Sequence, residues 1–291
     1  KVTVADSVTT IGDYAFKNCT ALESVKLSGK LSRLGESAFY GCSSLTSITI
    51  PEGLYTIWAY TFKNCTSLTN VSLPKSLIKI DESAFYGCSS LEAIVIPDNC
   101  SIVGTYCFKN CTKLKDVTLP AKLSELREAV LYGTAIENLS VPSKVSKVGP
   151  YAFKKCEKLT EISLPDSLTL IGEAAFYECT ALPRIDIPDA VTRIDDYAFR
   201  RDTALSEGSF PAGLRTLGEC SFYGCTGLSE ITLPEGMTEI MDYAFKACDR
   251  LVSVNLPSTL ITLGESAFNS CPLLVGITIP ASVSVIKDYC F

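Results

Sequence analysis

The chain has 291 residues, a formal net charge of −6 and no histidine, and 47% of it is hydrophobic. The missing imidazole removes the commonest general base and metal ligand, the acidic balance argues against a nucleic-acid binder, and the apolar content is too high for a disordered chain. No run approaches about 18 consecutive apolar residues and no signal-peptide pattern opens the sequence, so neither a membrane span nor a targeting segment is predicted within it.

From its first residues the chain repeats. Val2-Thr3-Val4 reads as the strand of a unit whose start lies outside the sequence, and a phrase ending on Phe16 and Cys19 follows. The phenylalanine returns as Phe39, Phe62, Phe85, Phe108, Phe153, Phe176, Phe199, Phe222, Phe245, Phe268 and Phe291, with Leu131 holding one place. The spacing is 23 residues, except for 22 from Leu131 to Phe153, where Gly133-Thr134 lacks the cysteine that follows the glycine in Gly41-Cys42. A period of about 20 to 29 residues with leucines at fixed offsets marks a solenoid whose units bury their apolar faces against one another. The expectation is one array over residues 1–291, about twelve units truncated inside a repeat at both ends and belonging to a longer protein. Stacking then requires Phe85 and Phe108 to lie side by side.

Within a unit, Leu45, Ile48 and Ile50 set the strand pattern, which recurs as Leu68, Val71 and Leu73 and as Leu228, Ile231 and Leu233. Alternation turns Thr49, Ser72, Thr118, Ser163, Thr232 and Thr278 outward as a small polar ladder on a parallel sheet. Eleven of the twelve strands end in proline, from Pro51 to Pro280, with Ser28 the departure. Proline donates no ladder bond, so the strands are predicted to be three or four residues long. A second apolar pair, as in Leu54 and Ile57 or Leu168 and Ile171, predicts another short extended segment on the flank.

An acidic residue such as Asp13, Glu82 or Asp242 precedes the anchor, and Lys17, Lys63 or Lys246 follows it, an order that suits the dipole of a one-turn α or 3-10 helix. Asn18, Asn64 and Asn110, or Gly41, Gly87 and Gly224, supply left-handed residues to end it. Tyr60, Tyr106 and Tyr151 sit two places before an anchor, whereas Tyr86, Tyr132 and Tyr177 sit one place after. The alternation predicts a tyrosine seam entered from alternate sides, with Ser37, Ser83 or Ala174 leaving room for the neighbouring ring.

Ten of the fourteen cysteines occupy one column, three places after the anchor. Their stacking is close enough for disulfide geometry, but parallel side chains favour buried thiols that pack as small hydrophobes. Paired C-x-x-C spacing for zinc is missing. The sequons at Asn18, Asn64 and Asn110 are products of the repeat, whose turn needs the asparagine and whose core needs the cysteine.

Departures from the period carry more information. Asp202 replaces a column cysteine, and Glu207-Gly208-Ser209 breaks the strand pattern, so a loosened or bent unit is expected there. Trp58 stands where Gly12, Gly35 and Gly104 stand, and Tyr55 and Ile78 share a flank column made mostly of Ser, Thr or Arg. These three make an exposed apolar patch, read as a protein-binding candidate or as tolerated surface drift. Glu161, Asp186, Glu207 and Glu230, with Arg184 among them, form an outward acidic stretch, read as a second candidate or as a solvated face.

The pattern Leu-x-x-Ile-x-Ile/Leu-Pro followed by Leu-x-x-Ile-Gly-x-x-Ala-Phe-x-x-Cys, seen from Leu159 to Pro165 and from Leu168 to Cys179, resembles the BspA-like leucine-rich repeats of bacterial and protist surface proteins. The resemblance covers essentially the whole chain. It implies an α/β solenoid, a right-handed leucine-rich-repeat superhelix with short parallel strands and one-turn α/3-10 helices opposite them. It further implies a secreted or cell-surface protein with roles in adhesion, and it carries over no catalytic residue. The functional expectation is a non-enzymatic, monomeric module that presents its sheet face and flanks to a protein or glycan at the cell surface. No cofactor, metal or nucleic acid is expected, and membrane association only through an anchor outside these residues. The alternative is an architectural spacer holding another domain.

Overall fold

The computed structural model describes residues 1–291, with the backbone alone for Gly208 and Ser209. They fall into two compact units, Lys1–Lys144 and Val145–Phe291, each a coil of stacked turns.

In the first unit, parallel strands pair at the period of the sequence. Val2–Thr3 lies beside Val25–Lys26, Ser47–Thr49 beside Asn70–Ser72, and Ala93–Val95 beside Asp116–Thr118. Ile48 faces Val71 and Ile94 faces Val117, so like stacks on like at each step. Each strand is two or three residues long because the following proline offers no ladder donor. After Val25–Lys26, where Ser28 stands in place of the proline, Ser28 is buried and its hydroxyl accepts a bond from the Lys30 amide. The predicted flank segment forms a second ladder, in which Thr10–Ile11 pairs with Arg33–Leu34, and Lys79–Ile80 lies between Thr56–Ile57 and Ile102–Val103.

The second unit repeats this plan. Arg184–Asp186 pairs with Glu207–Ser209, while Glu230–Thr232, Ser253–Asn255 and Gly276–Ile277 follow one another. Its flank ladder runs from Lys147–Val148 through Leu170–Ile171 and Arg193–Ile194 to Thr216–Leu217. The bend expected at Glu207-Gly208-Ser209 falls on Gly208 and Ser209, which lie outside the described side chains; the backbone of Glu207–Ser209 stays in register with Arg184–Asp186. Phe210, where other turns carry Ile, Leu or Val, sets its ring edge-on to Phe222 at 5.3 Å and to Phe245 at 6.4 Å.

The anchor phenylalanines form a spine in each unit. In the first, Phe85 and Phe108 stack with ring centres 5.5 Å apart and planes 8° from parallel; in the second, Phe176 and Phe199 stack at 5.2 Å and 3°. These rings are fully buried, and each contributes roughly 2 kcal/mol by leaving water. Leu131 takes the anchor's seat and is likewise buried. The shortened turn departs from expectation in one respect. Thr134 occupies the cysteine's seat, buried with its hydroxyl donating to the Leu131 carbonyl at 2.9 Å, so the lost residue falls between Thr134 and Ile136 rather than at the cysteine.

The one-turn helices expected opposite the strands do not form among the described residues. Two left-handed residues flank each anchor: Tyr60 (φ 58°) and Asn64 (φ 60°) around Phe62, Ser83 (φ 51°) and Gly87 (φ 71°) around Phe85. A right-handed helix cannot pass through them. The segment is instead a chain of turns, with the Lys63 amide bonded to the Tyr60 carbonyl at 3.0 Å and the Cys65 amide to the Phe62 carbonyl at 3.1 Å. Alternate amides reach across to the next turn, as from Phe62 to the Ala84 carbonyl at 2.8 Å and from Asn64 to the Tyr86 carbonyl at 2.7 Å. These bonds satisfy backbone groups that would otherwise be buried unpaired, offsetting about 1–2 kcal/mol of strain at each left-handed non-glycine residue. Among the described residues no helix is long and apolar enough to cross a membrane.

Candidate interaction surfaces

The tyrosines meet as the alternation predicted, and between them lies a cation. Lys63 sits 5.1 Å from the ring centre of Tyr60 and 4.6 Å from that of Tyr86. Lys109 is held likewise between Tyr106 and Tyr132, and Lys154 between Tyr151 and Tyr177. Tyr60 donates its hydroxyl to Glu82 of the following turn at 2.8 Å, Tyr106 and Tyr151 donate likewise to Glu128 and Glu173, and Tyr243, which flanks Lys246, donates to Glu265 at 2.6 Å. The bond to Glu265 pushes the Tyr243 phenol up to about 12, and Glu128 does the same to Tyr106. With donors, acceptors and ring faces committed inside the chain, this seam is a structural device.

The cysteine column serves the backbone. The thiols of Cys65, Cys88 and Cys111 donate to the carbonyls of Phe39, Phe62 and Phe85 at 3.1 to 3.2 Å, and burial pushes the Cys42 thiol up to about 11. Asp202 breaks the column. One of its carboxyl oxygens accepts the Cys179 amide at 2.8 Å, the other has no partner, and burial raises its pKa well above the ordinary value. The other unpartnered buried atoms among the described residues, Arg200 Nε and Ser221 Oγ, belong to the same turn and the next. Among the described residues no group of three or more acidic or thiol side chains is placed to hold a metal ion.

The apolar candidates are exposed in the first unit: Tyr55 by 58%, Trp58 by 41% and Ile78 by 47%. Tyr55 and Ile78 are brought together by the Ile78 amide, bonded to the Tyr55 carbonyl at 2.8 Å. In the second unit Glu161, Arg184, Asp186, Glu207 and Glu230 all face outward from strands. Arg184 is bonded to Asp186 at 2.7 Å and lies 3.7 Å from Glu207, so its charge is spent on neighbours. Glu161, Arg184 and Asp186 line a shallow cavity of about 370 Å³.

A larger hollow, of about 820 Å³, lies on the sheet face of the first unit around Ala93 and Val95, with Asn70, Ser72, Thr118 and Asp98 about it. Sequence reasoning missed it. The signal was Val95, an apolar residue in the outward column of Thr49, Ser72 and Thr118.

Comparison with known proteins follows the same lines. The family model described as the BspA type leucine-rich repeat region matches residues 1–111, 78–206 and 194–291. Among solved structures, a leucine-rich repeat protein from Bacteroides ovatus is 27% identical, over 92% of this chain and 81% of its own, with a TM-score of 0.69. A leucine-rich cell surface protein from Faecalibacterium prausnitzii is 28% identical, over 99% and 87%, with a TM-score of 0.64. A pneumococcal vaccine antigen, 18% identical over 99% and 84% with a TM-score of 0.51, shares the fold. Among curated proteins nothing matches.

Proposed function

This chain belongs to the BspA-type leucine-rich repeat family, and from that premise we propose that it is a non-enzymatic interaction module, secreted or held at a cell surface, that binds a protein or glycan partner in adhesion. The observation that carries this reading is the irregularity of its surface. A solenoid serving only as a spacer needs one repeating exterior, whereas here Tyr55, Trp58 and Ile78 expose apolar area on adjoining turns, at positions that elsewhere carry mostly glycine, small polar or charged residues. Aromatic side chains of this kind anchor protein interfaces, and solenoids provide extended binding faces. The Faecalibacterium prausnitzii relative, itself a cell surface protein, supports the location. Glu161, Arg184, Asp186, Glu207 and Glu230 form the second candidate surface. A right-handed course, a monomeric working state and a single array over residues 1–291 belong to this reading; the array rests on the period, which passes residue 144 with the loss of one residue.

The test is capture of the chain by immobilised extracellular-matrix proteins and by intact cells, with Trp58→Ala and Glu230→Lys alongside. Loss of capture in either variant supports the corresponding surface. Capture unaffected by both removes the two surfaces, and no capture at all favours a spacer that holds another domain away from the cell.

A further inference from the structure

We propose that the hollow around Val95 in the first unit is a recognition site for a neutral saccharide. The proposal names a ligand class for the interaction module above and rests on that reading. At about 820 Å³ the hollow falls within the range of about 300–1,000 Å³ typical of small-ligand sites.

The chemistry of its walls selects the ligand. Val95 is 67% exposed and Ala93 lies beside it, giving an apolar floor in a column whose neighbours carry hydroxyls. Asn70, Ser72 and Thr118 surround that floor, each with groups that both donate and accept hydrogen bonds. Asn70 and Ser72 stand on one side of the floor and Thr118 on the other, the last opposite Val95 across a ladder of about 4.8 Å. On the rim, Lys75 and Asp98 carry opposite charges, and Lys122, bonded to Asn99, and Asp116, opposite Ala93, add one more of each sign. Asn99 is already fixed, its amide nitrogen donating to the Lys75 carbonyl at 3.1 Å and its oxygen accepting from Lys122 at 3.0 Å, so part of the ordering cost of binding is met in advance.

A sugar ring has this complement: a C–H face for Val95 and Ala93, edged by hydroxyls that each donate and accept. A charged ligand would meet both signs in equal number around the hollow and so gain little in return for the hydration it loses. An extended peptide would need a free sheet edge or a row of apolar pockets. Ala93–Val95 is paired with Asp116–Thr118 on one side and lies against Asn70–Ser72 on the other, a strand itself paired with Ser47–Thr49, so no room is left for an added strand, and the apolar floor is a single patch. A second hollow of about 380 Å³ shares Asp98 and Thr118 and extends the trough to Ser140 and Ser143, which makes room for more than one sugar unit.

The test titrates the 291-residue chain, carrying labelled alanine and valine methyl groups, with maltotetraose, cellotetraose, laminaritetraose and tetra-N-acetylchitotetraose. Tetragalacturonate is the charged arm and a neutral Gly-Ser octapeptide the peptide arm. At least one neutral tetrasaccharide is expected to shift the Ala93 and Val95 signals saturably below about 10 mM, and Val95→Lys to weaken that binding at least tenfold. Ser72→Lys, at another exposed position on the same trough, provides the same reading should Val95→Lys fail to fold. Silence from all four sugars, undiminished binding in the folded variant, or tighter binding of the acidic sugar or the peptide overturns the proposal. Capture by matrix proteins, measured in parallel with wild type and Val95→Lys, separates the two readings. Sugars failing while capture persists sinks only the saccharide site, and capture failing while sugars bind sinks only the matrix-protein surfaces.

Discussion

The ammonium of Lys63 lies 4.6 Å from the ring centre of Tyr86, one turn further along the coil, with Tyr60 on its other side. A cation held between two ring faces and out of full contact with water gains about 1 kcal/mol from each. The geometry tolerates a guanidinium, since Arg200 occupies the equivalent place among Tyr177, Tyr197 and Tyr223. Lys63→Met, which keeps the stem and removes the charge, is therefore expected to lower stability by about 1–2 kcal/mol, and Lys63→Arg to keep most of it. Urea midpoints of the three proteins decide this; equal losses in both variants would mean that packing of the stem, not the cation, holds the seam.

The residues opposite the tyrosines are small for a reason the same geometry supplies. Ser83 is buried and left-handed, at the position where the preceding turn carries Tyr60. Tyr86 of its own turn already fills the seam beside Lys63, so a second ring has nowhere to go. Ser83→Tyr is expected to overpack it and cost about 1–3 kcal/mol. A melting temperature equal to that of the wild type would refute the alternating arrangement.

How far the sequence foretold this depends on which interactions are local. The spine from Phe153 to Phe291, the register of Ile48 on Val71 and the short strands before each proline follow from the period and from proline chemistry, both legible in one dimension. The tyrosine seam was legible for the same reason. The left-handed backbone at Tyr60 and Tyr106 was not, because residue preference points to glycine or asparagine there and only the bonds to the next turn hold it. Thr134 reads as a gap in the cysteine column until its hydroxyl is seen on the Leu131 carbonyl. Of the candidate surfaces, Tyr55 and Trp58 stood out by their size, whereas Val95 did not, since a valine in a strand is ordinary unless the direction it faces is known.

Thiol reactivity follows from burial. Cys65, Cys88, Cys107, Cys111, Cys179 and Cys225 are sealed in the core, and desolvation raises each above its ordinary pKa, so neither access nor thiolate is available. Cys19 is exposed, and Cys271 is half-buried with its pKa lowered by the neighbouring Cys248 thiol. An aromatic disulfide reagent at pH 8 is expected to modify Cys19 and Cys271 in the folded protein, and the remaining thiols only after unfolding. Rapid labelling of the central column in the native state, mapped by peptide mass, would contradict the packing described.

Asp202 gives the fold a dependence on pH. Burial raises its carboxyl well above the ordinary range, while in the unfolded chain it titrates near the reference value of about 3.9. The folded state thus binds the proton more tightly. The stability this group contributes is fully present below about pH 4 and is lost as pH rises toward and through its folded pKa. Replacing it with a neutral side chain removes that loss: Asp202→Asn keeps the shape without the ionisable group, and Asp202→Cys restores the column residue whose thiol elsewhere donates to the phenylalanine carbonyl of the preceding turn. Both are expected to match the wild type within about 1 kcal/mol at pH 4 and to exceed it by about 1–3 kcal/mol at pH 8. Urea unfolding from pH 4 to pH 8 measures the divergence, and parallel curves for the wild type and Asp202→Asn would show that Asp202 is ionised at no cost and that its orphan oxygen is solvated.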